Sequence, residues 1–133
     1  MLIDPTDPRP LWLLVRTKPK QERTVISSLD ARGVVGYCPR VLEPRLHVRA
    51  PRGPVPLFPS YVFARFVLEH AFAAVNYCPG VLGVVRFGGH FAAIEEAIVD
   101  SLREREGERG FLEIRAVRQA PRLGSRARIM MSA

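Results

Sequence analysis

The stretch at residues 61–67 carries side chains suited to binding rather than to catalysis. Every residue there is apolar or small except Arg65, and the alternation of a β-strand would place Tyr61, Phe63 and Arg65 on one face. Aromatic area beside a charge is typical of interaction surfaces, although the same pattern fits a central strand that is covered on both faces. The opposite face would be ordinary core and holds Val62, Ala64 and Phe66.

No arrangement of residues in the sequence points to catalysis. The chain lacks a phosphate-binding glycine loop and a nucleophile motif, and no His lies near paired carboxylates. Glu95 and Glu96 are neighbours that would diverge by about 100° on a helix, so they do not form an acid/base pair. Cys38 and Cys78 have no metal-ligand spacing, and we expect both to be reduced packing thiols. The sequence therefore predicts a protein that is not an enzyme and binds no metal or cofactor.

The charge of the chain favours a polyanionic partner. Eighteen arginines and two lysines against 13 acidic residues give a net charge of +7. Five arginines lie within residues 40–65 and five within 111–128, each group with a single acid, while acids gather at 95–108. The proline-rich segment 43–56 alternates weakly and predicts a projecting hairpin arm. Its arginines fit either a binding surface or an ordinary solvated face.

Hydrophobic periodicity predicts alternating strands and helices along the chain. Strands are predicted at 11–16, 34–42 with a break at Cys38-Pro39, 61–67 and 81–87, and helices at 17–32, 69–77 and 94–106. Thr17 or Lys18 would cap the first helix, with Pro19 in its first turn. The order predicts an α+β fold, a mainly antiparallel four-stranded sheet flanked by about three helices, with the hairpin arm at 43–56.

Length and composition place further limits on the chain. With 133 residues it is large enough to bury one core. It contains no apolar run of about 18 residues that could span a bilayer. Residues 1–10 carry three prolines and two acids without the pattern of a signal peptide. We therefore expect a flexible tail at 1–10 and a protein that stays in the cytoplasm.

Six short segments stand in the order and spacing of a known family. They are Trp12, Thr17-Lys18-Pro19 with Glu22, Tyr37-Cys38-Pro39-Arg40, Pro56-Leu57-Phe58-Pro59-Ser60-Tyr61-Val62-Phe63, Pro79-Gly80-Val81 and Val85-Arg86-Phe87-Gly88-Gly89. Together, over residues 11–106, they resemble the N-terminal (NGN) domain of NusG-type bacterial transcription elongation factors. The arm and the 85–89 segment look more like specialised antitermination paralogues such as RfaH.

The resemblance implies a protein that binds RNA polymerase. In this family the domain docks on the clamp helices of the large subunit, bridges the cleft and suppresses pausing. The polymerase-binding residues would be Phe58, Tyr61, Phe63 and Phe87. Core packing remains the alternative for Phe58 and Phe87, whereas a phenol such as that of Tyr61 prefers a wet edge.

The resemblance also implies contact with the non-template DNA strand. Lys18 matches the family's position near that strand, and Lys20, Arg23 and Arg32 lie on or beside the same helix. Cations of this kind contact phosphates without reading sequence. Cys78-Pro79 has the form of the general factor rather than that of a sequence-specific paralogue, which argues against base-specific recognition.

The resemblance divides the chain into a tail at 1–10, an NGN domain at 11–107, and a basic linker with an incomplete start of a KOW domain at 108–133. We expect a monomer. The alternative function is a stand-alone module of α+β fold that binds single-stranded RNA or DNA. The glycine-aromatic signature of such RNA-binding modules is absent from this sequence.

Overall fold

The computed structural model describes residues 1–42 and 53–113. The described residues divide into two compact units, one made of Met1–Cys38 with Phe58–Glu96 and the other of 39–42, 53–57 and 97–113. The strands of the described residues are β1 (Leu2–Ile3), β2 (Leu11–Thr17), β3 (Val35–Tyr37), β4 (Arg40–Leu42), β5 (Val55–Pro56), β6 (Tyr61–Phe66), β7 (Val81–Val84), β8 (Arg86–Phe87), β9 (His90–Ile94) and β10 (Leu112–Glu113). The helices are α1 (Glu22–Ala31), α2 (Leu68–Asn76) and α3 (Glu96–Glu106).

The first unit is built on an antiparallel sheet with β2 near its centre. The strand order is β1-β9-β2-β6-β3, with β7 also paired to β2 and β8 to β9. One edge of β2 pairs with β6 along its length, while the other edge is shared by β9 and β7. The mixed α/β fold with three helices and antiparallel pairing is confirmed within the described residues. The predicted count of four strands is too low there, because this sheet has seven. Strands β1 and β9 are additional to the predicted four, and the predicted strand at 81–87 is divided into β7 and β8. With only two residues, β1 is too short to show a periodic pattern.

The core of the first unit lies on one face of this sheet. Val62, Ala64 and Phe66 of β6 are buried there, as their alternation predicts. The face is covered by α1 and α2, whose buried apolar residues are Val25, Leu29, Leu68 and Val75. The other face of β6 carries Tyr61, Phe63 and Arg65, so the sequence placed all six side chains on the correct sides.

The N-terminal residues differ from the predicted flexible tail. Leu2 and Ile3 form β1, which pairs with Ala92 and Phe91 of β9. The side chain of Ile3 is buried in the core, and the amino group of Met1 donates a hydrogen bond of 2.8 Å to the carbonyl of Ala93. Two paired residues and one buried side chain are too small a signal to be found by periodicity.

The second unit, in its described residues, contains a small three-stranded sheet and most of α3. Strand β4 pairs antiparallel with β5 and parallel with β10. The break predicted at Cys38-Pro39 is confirmed, since it separates β3 from β4. The arm predicted at 43–56 has its last residues in β5, but residues 43–52 lie outside the described residues, as do 114–133 of the predicted linker and KOW start.

The last predicted helix begins later than its apolar stripe suggests. Ile94 was expected to open that stripe, but it pairs with Trp12 as the last residue of β9. Helix α3 begins at Glu96 and buries Val99 and Leu102. No helix in residues 1–42 and 53–113 combines the length and apolar character needed to cross a membrane.

Candidate functional site

A tight turn at residues 58–61 introduces the strand that carries the aromatic face. The amide of Tyr61 donates to the carbonyl of Phe58 at 3.1 Å, with Pro59 at the second position. Ser60, at the third position, has φ +69°. Proline followed by a residue with positive φ is the pattern of a type II turn, in which glycine or asparagine usually fills the third position. Serine therefore holds a strained conformation between two aromatic residues.

Hydrogen bonds join this turn to two other loops. Ser60 donates its amide to Glu22 Oε2 at 2.7 Å, and its carbonyl accepts the amide of Thr17 at 2.8 Å. The next amide along the chain, that of Lys18, donates to the carbonyl of Gly80 at 2.9 Å. The turn at 58–61, the loop at 17–21 and the loop at 77–80 therefore meet at one end of the sheet.

Two of the four predicted polymerase-binding aromatics lie at this turn with partly accessible rings. Phe58 and Tyr61 are both half-buried. The ring of Phe58 packs edge-on against Phe63, with 6.2 Å between centroids and an interplanar angle of 86°. The backbone of Tyr61 lies opposite Arg16 of β2. This placement gives Phe58 one packed side and leaves part of its ring accessible.

Phe63 is buried, although the predicted role in polymerase binding requires an accessible ring. It is only 6% exposed, and its neighbours in the sheet are Leu14 and Tyr37. Alternation correctly gave the face on which Phe63 lies, but that face is largely covered at this position. Phe63 therefore supports Phe58 from below rather than meeting a partner itself.

Phe87 lies on a hairpin and has the opposite surroundings. It is 62% exposed and pairs with His90 across the turn formed by Gly88 and Gly89. Beside it, the Arg86 guanidinium lies 5.7 Å from the centre of the Phe91 ring. Core packing, the alternative for Phe87 left open by the sequence, is wrong.

Three of the four predicted DNA-binding cations lie together. Lys18 and Lys20 belong to the loop before α1, and Arg23 is in the first turn of that helix; all three are exposed. We call these three residues the basic loop. Arg32 follows the other end of α1, about 15 Å away for ten residues of helix. Its guanidinium donates to the carbonyl of Ser28 at 2.9 Å. The length of α1 therefore separates Arg32 from the other three cations.

The start of α1 explains why the loop is free to carry these cations. The sequence predicted that the helix begins at Thr17 or Lys18, with Pro19 in its first turn, but it begins at Glu22. Thr17 remains in β2, and Lys20 has φ +62°, which no right-handed helix accommodates. The prediction of the helix start is therefore wrong by about one turn, and Lys18 and Lys20 extend from a loop.

Sequence reasoning missed Tyr77, which has the most exposed large apolar side chain in the described residues. It is 79% exposed and directly follows α2. It begins the loop whose Gly80 carbonyl accepts the amide of Lys18. The available signal was an aromatic residue just before Cys78-Pro79-Gly80, where a helix must stop and no inward stripe continues.

Within the ranges that the structure describes, no three His, Cys, Asp or Glu side chains come together as a metal site would require. The site consists instead of accessible aromatic rings and exposed cations on adjoining loops. Such a surface can pack against a protein partner and neutralise phosphates.

Comparison with known proteins gives the family. A solved structure described as domain interaction in Thermotoga maritima NusG is 24% identical, with a TM-score of 0.47, and the match covers 71% of this chain and 55% of that one. This chain therefore spans about half the length of that relative. No curated protein matches this chain. The family model NusG, described as transcription termination factor nusG, matches residues 10–103, which is more than half of the chain. The chain therefore belongs to the NusG family of transcription elongation and termination factors.

Proposed function

We propose that this chain is a transcription elongation and antitermination factor that binds the clamp helices of RNA polymerase and suppresses pausing. The observation that carries the proposal is the 58–61 turn, which holds Phe58 and Tyr61 partly accessible at one end of the sheet of a NusG-family domain. We call Phe58 and Tyr61 the aromatic surface, and Phe87, on the β8–β9 hairpin, is proposed as a further contact with the same partner. Aromatic anchors supported by packed neighbours are the usual centres of binding energy at protein interfaces.

A helical partner suits this surface for physical reasons. Phe58 is braced edge-on by the buried Phe63, so little side-chain freedom remains to be lost when its outer edge is covered. The phenol of Tyr61 combines apolar area with a polar group at a half-buried position. An apolar stripe on a helical hairpin would cover both rings, which is the helix-docking mode of recognition.

The second part of the proposal assigns non-template DNA to the basic loop. Lys18, Lys20 and Arg23 offer positive charge on one loop, which suits phosphates. Tyr77 adds an exposed ring on the adjoining loop, and single-stranded nucleic acids stack their bases on such rings. Arg32 lies at the far end of α1. It would contact the DNA only if the bound strand extended along the whole helix.

The narrower assignments remain predictions. They are the likeness to specialised RfaH-type paralogues, action as a monomer in the cytoplasm, and a role in binding without catalysis. The arm that suggested the specialised paralogues falls mostly within residues 43–52, outside the described ranges.

Binding to an isolated clamp-helix fragment of RNA polymerase tests the main proposal. Wild-type protein should bind with weak dependence on salt, and Tyr61→Ala should lose roughly 1–3 kcal/mol of binding free energy. Tyr77→Ala is the matched control, because it removes a more exposed phenol from outside the aromatic surface and should bind the fragment normally. Circular dichroism checks that each variant is folded.

The opposite result identifies the alternative function. If the fragment does not bind and single-stranded DNA or RNA binds with a steep salt dependence, the protein is a nucleic-acid module and the proposal is wrong.

A further inference from the structure

Glu22 is a charged residue in an unusual position. It lies in the first turn of α1, yet it is only 8% exposed. Its Oε2 atom accepts the Ser60 amide at 2.7 Å, a contact that spans 38 residues of sequence. Glutamate is rarely buried unless it is paired, and a short hydrogen bond to a carboxylate is stronger than one between neutral groups. A carboxylate at the start of a helix is also stabilised by the helix dipole. The dipole explains why an acidic residue stands at position 22, but not why its carboxylate bonds to Ser60.

The partner of Glu22 is Ser60, the strained residue of the 58–61 turn. With φ +69°, Ser60 pays the penalty that any residue with a Cβ meets in the left-handed region. Both backbone groups of Ser60 are bonded to the segment at 17–22, its amide to Glu22 and its carbonyl to Thr17. The segment that carries the basic loop therefore also holds the conformation of the turn between Phe58 and Tyr61.

We infer that Glu22 is a positioning residue that fixes the 58–61 turn, so that Phe58 and Tyr61 meet the protein partner in one geometry. This inference rests on the proposed function of the aromatic surface. Because Glu22 begins the helix that follows Lys18 and Lys20, it also holds the aromatic surface at a constant position relative to the basic loop. The two surfaces then act as one unit on a partner that carries a helical hairpin beside a nucleic-acid strand.

The first experiment observes the contact directly and needs no partner. In Glu22→Gln the Ser60 amide proton should shift upfield and exchange with solvent about tenfold faster, the factor that corresponds to about 1.4 kcal/mol. Glu69→Gln is the matched control, because Glu69 is an exposed glutamate in the first turn of α2 and its replacement changes the net charge equally. An unchanged Ser60 amide in Glu22→Gln would overturn the inference.

The second experiment asks whether the contact matters for binding to the clamp-helix fragment. Tyr61→Ala should weaken binding about tenfold in the wild-type background but less than about twofold in Glu22→Ala, because the turn is already displaced there. Ser60→Gly should restore most of the binding of Glu22→Ala, since glycine adopts positive φ without a partner. Full affinity in folded Glu22→Ala, or equal effects of Tyr61→Ala in both backgrounds, would overturn the inference.

Two further outcomes separate this inference from the proposed function. If Glu22→Ala does not fold, Glu22→Gln replaces it as the background in which Tyr61→Ala is measured. Because glutamine keeps an oxygen acceptor, Glu22→Gln should lose less affinity for the fragment than a complete loss of the contact would cause. If wild-type protein does not bind the fragment, the proposed function fails and the inference falls with it. Wild-type binding that is indifferent to Glu22 overturns the inference alone.

Discussion

At the scale of single residues, the difference between Phe63 and Phe87 shows what a sequence can give. Both are aromatic residues in predicted strands, and both were assigned to polymerase binding. One is 6% exposed and the other 62% exposed. Alternation gives the face of a strand on which a side chain lies, but the cover over that face comes from elements distant in sequence. The burial of an aromatic side chain on a mixed face therefore needs the fold.

Tyr77 should contribute to binding of single strands by stacking. Tyr77→Ala should weaken binding of a mixed-sequence single-stranded DNA by about 1–3 kcal/mol, whereas Tyr77→Phe should change it little, because stacking uses the ring and not the hydroxyl. Fluorescence anisotropy at fixed salt measures both variants. Equal losses for the two would show that the hydroxyl, rather than the ring, makes the contact.

Asp7 and Arg9 form an exposed pair whose titration can be predicted. Arg9 donates from Nε and Nη2 to the two carboxylate oxygens of Asp7, at 2.9 and 2.7 Å. These bonds, followed by the bond from the Arg9 amide, lower the pKa of Asp7 from 3.8 to about 2. Because the folded pKa is lowered, the stabilising contribution is complete above pH 3.8 and is lost as the pH falls through about 2.

A carboxyl titration followed by NMR tests this pair. In Arg9→Gln the pKa of Asp7 should rise only part of the way towards 3.8, because the backbone amide of residue 9 still donates to Oδ1. The pKa of Asp4 is lowered mainly by the hydroxyl and amide of Thr6, which the substitution leaves in place, so it should move much less than that of Asp7 although the charge of Asp7 also acts on it. A full return of the Asp7 pKa would mean that the amide bond contributes nothing.

At the scale of elements, the sequence was most informative where one face of a strand is buried and least informative where loops compete with a helix. The pattern of β6 placed six side chains correctly because the core face tolerates only apolar residues. The start of α1 was wrong because Thr17 bonds to Ser60 and extends β2 instead. No local signal reports a partner that lies 43 residues away, which is the separation of residues 17 and 60.

Two glycines beside α1 should respond differently to alanine. Gly33 and Gly80 both have positive φ, +77° and +89°, but a Cβ on Gly33 would meet nothing within 4 Å, whereas one on Gly80 would lie 2.9 Å from Val25 Cγ2. Val25 is fully buried and cannot move aside. Gly33→Ala should cost roughly 1–2 kcal/mol of unfolding free energy from the backbone alone, and Gly80→Ala should cost clearly more.

Urea denaturation of both variants tests this comparison, since the backbone penalty is common to them and the difference reports the contact with Val25. If the two variants lose the same free energy, the loop at 77–80 is not packed against α1 as described.

At the scale of the whole molecule, basic and acidic residues are clustered in different segments of the sequence. The net charge of +7 is concentrated in a few segments, and the described part of the chain gathers Lys18, Lys20 and Arg23 at one loop. Composition therefore predicted a polyanionic partner, and the resemblance predicted which cations would contact DNA but not that a loop would carry Lys18 and Lys20. The separation of Arg32 from that loop required the length and direction of α1.

Salt dependence should separate these cations. For single-stranded DNA, Lys18→Ala and Lys20→Ala should each reduce the slope of log K against log salt by about 0.7, the value for one phosphate contact. Arg32→Ala should leave the slope nearly unchanged, although it removes the same charge. An equal reduction for Arg32 would place the strand along the whole of α1.

The position of β2 in the sheet also determines when the protein can fold during its synthesis. This strand contains the run Leu11-Trp12-Leu13-Leu14-Val15 and pairs with β6, β7 and β9, all of which come much later in the chain. At translation rates of about 5–20 residues per second, the 43 residues between β2 and β6 take about 2–9 s to make. This largely apolar strand therefore waits on the ribosome without its partners, and chaperones that cover nascent apolar segments should bind the chain during this interval.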